Sequence, residues 1–97
     1  MKKMRRAVLS KTLKEKRKKI DLIDRKLLKL LNHRLHVALE IGKIKKQMGT
    51  KIYDPKREKG ILEKLGLRNK GHLEEEDIKK IFRKIMMVCR RSQEELR

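Results

Sequence analysis

Three cations stand on a stretch of this sequence that is otherwise patterned for a dry interior. Between Arg17 and Met48, a seam with spacings alternating three and four runs Arg17, Ile20, Asp24, Leu27, Leu31, Arg34, Ala38, Ile41, Lys45, Met48. That spacing is one face of a long α-helix. Ile23, Leu28, Leu30, Leu35, Val37 and Ile44 widen the apolar stripe. Lys18, Lys19, Arg25, Lys26, Lys29, Lys43 and Lys46 keep to the opposite side, whereas Arg17, Arg34 and Lys45 do not. A charge set among Leu and Ile is costly unless it is matched. The bland alternatives are that these side chains snorkel to water or pair with Asp24, Glu58 or the acidic run at Glu74. The three together read as a socket for a small anion that is not part of the chain.

The elements that must hold such a socket follow from the local pattern. Thr12 and Glu15 have capping-box spacing, so the long helix is expected to start near Leu13 and to end at Met48-Gly49. Residues 1–12 are then a basic N-terminal tail or an extra length of helix, and residues 13–97 the folded domain. Asp54-Pro55 reopens a helix, with Asp as N-cap and Pro at the first helical position, running to about Leu65. Gly66 to Gly71 breaks the pattern. Glu74, Glu75, Glu76 and Asp77 favour the start of a third helix reaching about Glu95. Its inner face reads Ile78, Ile81, Phe82, Ile85, Val88 or Cys89, Ser92 and Gln93, which puts Cys89 and Gln93 one turn apart. The expected fold is all-α, with three helices and a very long first one.

A helix from Leu13 to Met48 would be roughly 50 Å long at 1.5 Å per residue. A compact body of this size has a radius of gyration near ~13 Å. Such a helix needs another chain to lie against, so an intertwined helical homodimer is expected. The net charge of +18 suggests nucleic acid or another polyanion. The excess is spread over solvent faces, however, and one Tyr, one Phe and no Trp leave no platform for stacking bases. Nucleic acid is therefore an unfavoured partner. The single Cys89 excludes an intrachain disulfide and makes an intracellular, cytoplasmic location the default. No apolar run is long enough for a membrane span. His33, His36 and His72 share no plausible geometry and are read as surface residues.

In order and at their separations, five pieces resemble the all-α class of chorismate mutase. They are Arg17-Lys18-Lys19-Ile20-Asp21-Leu22-Ile23-Asp24, Leu30-Leu31-Asn32-His33-Arg34, Ile41-Gly42-Lys43-Ile44-Lys45, Asp54-Pro55-Lys56-Arg57-Glu58 and Cys89-Arg90-Arg91-Ser92-Gln93. The resemblance covers about residues 13–96. It implies an isomerase that turns chorismate into prephenate by a [3,3] rearrangement, on the way to phenylalanine and tyrosine, with no cofactor and no metal. It further implies that Arg17 and Arg34 bind the two carboxylates of the substrate and that Lys45 bridges a carboxylate and the ether oxygen. Gln93 would donate to the same oxygen, and Glu58 with the backbone near Asp54 would hold the ring hydroxyl. Arg57 would border the site. Cys89 stands where such enzymes often carry serine, and is read as pocket wall rather than nucleophile.

Arg17 precedes Lys45 by 28 residues, roughly 42 Å along a continuous helix. The two cannot share a small pocket within one chain, so if both touch one substrate, Arg17 comes from the partner subunit. Rival readings are an isochorismate pyruvate-lyase on the same scaffold, a basic nucleic-acid-binding helical dimer, and a regulatory dimer without turnover. Asp54 and Glu58, suited to a ring hydroxyl, favour the mutase over the lyase.

Overall fold

A computed structural model of the chain describes residues 2–96. Met1 and Arg97, the outer bounds of the expected tail and domain, lie outside them. Three helices follow one another: α1 (Lys2–Met48), α2 (Pro55–Arg68) and α3 (Glu75–Glu94). There is no strand among the described residues. The fold class is the expected one, but α1 starts eleven residues before Leu13, at Lys2. Thr12 is not a cap: its hydroxyl donates to the Val8 carbonyl at 2.9 Å, a bond made inside a helix. No Gly or Pro interrupts the sequence before Gly42, so nothing stops the helix from running back through the basic segment.

By packing, the chain divides between His33 and Arg34. The first part is bare helix. Val8, Leu9, Ile20, Ile23, Leu27 and Leu28 are all at least half exposed along it. The second part contains the last turns of α1 together with α2 and α3, and here a small core forms from Ala38, Gly42, Ile78, Met86, Cys89 and Gln93. Among the described residues no large side chain is fully buried.

Each helix end has a local cause. α1 closes at Gly49, whose φ of 70° suits a residue without Cβ. The Gly49 N–H donates to the Lys46 carbonyl at 3.2 Å and the Thr50 N–H to the Lys45 carbonyl at 2.9 Å, which satisfies two of the last orphan acceptors. α2 opens as its sequence predicts: Asp54 Oδ1 accepts from the Arg57 N–H at 3.0 Å, with Pro55 just inside. It runs past Gly66 to Arg68, three residues beyond the expected end at Leu65. The stop is set by Asn69, whose N–H still bonds the Leu65 carbonyl, while its side chain donates to the Leu73 carbonyl and accepts from the Gly71 N–H. α3 begins after an extended Glu74 with no side-chain cap. Its anionic first turn against the helix dipole takes the place of one. On its inner stripe Met86 and Cys89 are buried whereas Ile81 is half exposed, so the stripe runs Ile78, Phe82, Met86, Cys89, Gln93.

At Gly42 α1 lies tight against the Gln93 side chain of α3. A Cβ there would lie 3.1 Å from Gln93 Cγ and 3.2 Å from Gln93 Cβ. Gly60 in α2 has nothing within 4 Å of the same position. Both are helix-interior glycines, for which alanine gains up to about 1 kcal/mol in propensity. Gly60→Ala is therefore expected to raise the thermal midpoint. Gly42→Ala must push Gln93 away, and overpacking of about 1–3 kcal/mol outweighs the gain; its midpoint is expected to fall.

Candidate active site

The second part of the chain carries an open cavity of about 480 Å³. That is within the range of pockets that hold small molecules. The end of α1 supplies Arg34, Val37, Ala38, Ile41 and Lys45; the connector supplies Ile52 and Asp54. α2 supplies Arg57, Glu58 and Ile61, and α3 supplies Met86, Cys89, Arg90 and Gln93. Four cations thus face two carboxylates, an excess of two positive charges round walls of Val, Ala, Ile and Met.

Most of the polar groups are held in place. Arg34 Nη1 donates to Cys89 Sγ at 3.2 Å, which aims the guanidinium across from α1 to α3. Lys45 Nζ donates to the Ile52 carbonyl at 2.8 Å, so the ammonium is fixed against the connector with two N–H groups to spare. Gln93 is buried, and its Nε2 donates to the Ala38 carbonyl at 2.6 Å. One N–H of that amide and its carbonyl oxygen remain for another partner. Glu58 Oε2 accepts from Arg90 Nη1 at 2.7 Å, and both side chains are about one quarter exposed. The Arg90 guanidinium carbon lies 4.2 Å from the centre of the Tyr53 ring. Neither Arg34 nor Lys45 forms an ion pair with a carboxylate among the described residues. Of the protein anions weighed as partners, Glu58 is paired with Arg90, and in the acidic run at Glu74 the Glu75 and Glu76 carboxylates lie 3.6 Å from Lys79.

Arg34, Lys45, Asp54, Arg57, Glu58, Cys89 and Gln93, named from the sequence, all line this one cavity. Arg17 does not; it is an exposed residue in the part of α1 before His33. Sequence reasoning gave no role to Arg90 or to Tyr53 beneath it. The signal was present in the spacing, since Met86, Arg90 and Gln93 stand at i, i+4 and i+7 on one helix face. His36 is a surface residue, 3.1 Å from Glu40 one turn away. No helix among the described residues is long and apolar enough to cross a membrane.

Known proteins are similar to this chain in sequence and in fold. The chain is 46% identical over 66 residues to the chorismate mutase of Methanocaldococcus jannaschii, a match that covers 68% of this chain and 67% of that one. It is 42% identical over 81 residues to the bifunctional chorismate mutase/prephenate dehydratase of Aquifex aeolicus, covering 79% of this chain and 22% of the relative. It therefore spans about a fifth of the length of the bifunctional relatives it matches. Among solved structures, chorismate mutase from Helicobacter pylori in complex with prephenate superposes with a TM-score of 0.80 at 37% identity, covering 88% of this chain and 97% of that one. Residues 16–94 match the family described as chorismate mutase type II, and the chain belongs to that family.

Proposed function

We propose that this chain is a chorismate mutase that converts chorismate to prephenate, a step toward phenylalanine and tyrosine, with residues 13–97 as its catalytic domain. The observation that carries the reading is the charge of the cavity: Arg34, Lys45, Arg57 and Arg90 against Asp54 and Glu58, an excess that matches a dianion. The rearrangement is unimolecular. One C–O bond breaks as one C–C bond forms, and no nucleophile or base takes part. The protein then has two tasks, to hold the folded conformer of the substrate and to stabilise charge that grows on the ether oxygen. Arg34, steered by Cys89, takes a carboxylate. Lys45, fixed by the Ile52 carbonyl, reaches a carboxylate and the ether oxygen, and the free N–H of Gln93 donates to the same oxygen. Glu58 and the backbone at Asp54 take the ring hydroxyl. Arg57 borders the opening.

Arg17 completes the site from a second copy in this reading. The apolar residues left exposed on α1, from Val8 to Leu30, support a homodimer in which two such helices cover each other. The reading places the enzyme in the cytoplasm, with a small dianion rather than nucleic acid as its partner.

Loss of chorismate absorbance on adding the purified chain, with prephenate identified as product, tests the activity. Pyruvate release from isochorismate, or tight and steeply salt-dependent nucleic-acid binding with no turnover, would replace it by a rival. Lys45→Ala and Arg34→Ala are each expected to lower kcat by about 10²–10³, the usual cost of one preorganised donor. Lys29→Ala, at an exposed position that does not line the cavity, is expected to leave kcat unchanged. Equal rates in all three would reject the site. Subunit sharing has its own signature. Arg17→Ala and Lys45→Ala homodimers are both expected to be nearly inactive, whereas a refolded 1:1 mixture should regain about a quarter of full activity, because half of its dimers carry one intact site. A mixture no better than its parents would place Arg17 outside the site.

A further inference from the structure

We propose that Arg90 is a positioning residue for Glu58, held over the ring of Tyr53, and that it keeps a carboxylate tolerable in a cavity made for a dianion. The inference rests on the functional reading above and extends it to a residue that reading leaves without a task. Arg90 lines the cavity from α3 and Glu58 lines it from α2. Nη1 and Oε2 are 2.7 Å apart, the short distance of a charge-assisted hydrogen bond. Both side chains are about three quarters buried, so water screens the pair only in part.

Three consequences follow from the geometry. Oε1 of Glu58 accepts no hydrogen bond from the described residues, so one oxygen is anchored while the other stays open to a hydroxyl. The negative charge of Glu58 is matched at its own atoms, which removes the repulsion it would exert on two incoming carboxylates. Arg90 is itself held: its guanidinium lies 4.2 Å over the Tyr53 ring, a cation–π distance, and Tyr53 immediately precedes the cap residue Asp54. Lysine would keep the charge and lose the guanidinium that lies over the Tyr53 ring.

A kinetic cycle on the full chain with chorismate separates positioning from packing. Arg90→Met is expected to raise KM by about tenfold or more, because an unmatched carboxylate repels the dianion before any bond changes. Adding Glu58→Gln to that variant is expected to bring KM back to within about threefold of Glu58→Gln alone. Arg90→Lys should fall between Arg90→Met and the unmodified chain. The same rise in KM with and without Glu58 overturns the proposal. Should Arg90→Met not fold, Tyr53→Leu takes its place in the same cycle, with a smaller rise expected. A second readout needs no turnover: in ¹⁵N NMR of the unmodified chain, the Arg90 guanidinium should show hindered rotation that Glu58→Gln abolishes. A freely rotating guanidinium in the unmodified chain overturns the proposal. A chain that ignores chorismate but keeps the hindered signal would fail the functional reading and leave the pair standing.

Discussion

The structure is governed by positive charge that the chain does not neutralise. Arg34 and Lys45 rise from the face of α1 that also carries Ala38 and Ile41, and among the described residues each finds an uncharged partner, the Cys89 sulfur or the Ile52 carbonyl oxygen. Hydrogen bonds to neutral groups fix a cation in space without discharging it. That distinction matters for a binding site. A guanidinium paired with a protein carboxylate must give up that partner before it can take a ligand, whereas one resting on a sulfur gives up little. Among the described residues the ion pair in the cavity is Arg90 with Glu58, which joins α3 to α2 and does not engage the α1 cations.

Much of this was legible in the sequence, and the reasons differ by element. The seam of α1 showed the helix and two cations that line the cavity, Arg34 and Lys45, because seven-residue periodicity and charge are independent signals; Arg17, on the same seam, is exposed. Asp54-Pro55 marked the start of α2 because capping is local chemistry. Element limits were less legible. Thr12 and Glu15 have the spacing of a capping box, yet nothing before Thr12 breaks a helix, and the hydroxyl bonds back to Val8. Gly66 suggested an end to α2 that Asn69 in fact provides through three hydrogen bonds of its own.

The site shows the same division. Seven of the eight named residues line one cavity; the resemblance implied all eight, and the seam of α1 separately singled out Arg34 and Lys45. Arg90 had no such motif role, and its partnership with Glu58 depends on the crossing of α2 and α3, a tertiary relation that no one-dimensional pattern carries. Cys89 illustrates how a neighbour changes a residue's meaning. As a lone cysteine it suggested only wall; beside Arg34 Nη1 its sulfur is an acceptor, so the side chain orients a cation without supplying one.

Lys45 also finishes its helix. Its carbonyl accepts from the backbone N–H of Thr50 and from the Thr50 hydroxyl, while its ammonium reaches the carbonyl of Ile52. The backbone and side chain of one residue therefore clamp both ends of the same short connector. Evolution can lengthen the turn near Gly71 without touching the cavity, since the residues there line none of it. An insertion between Gly49 and Asp54 would instead loosen the helix stop, the ammonium and the Asp54 cap in a single event. Length variation in descendants of this chain should accordingly collect at the second turn and spare the first.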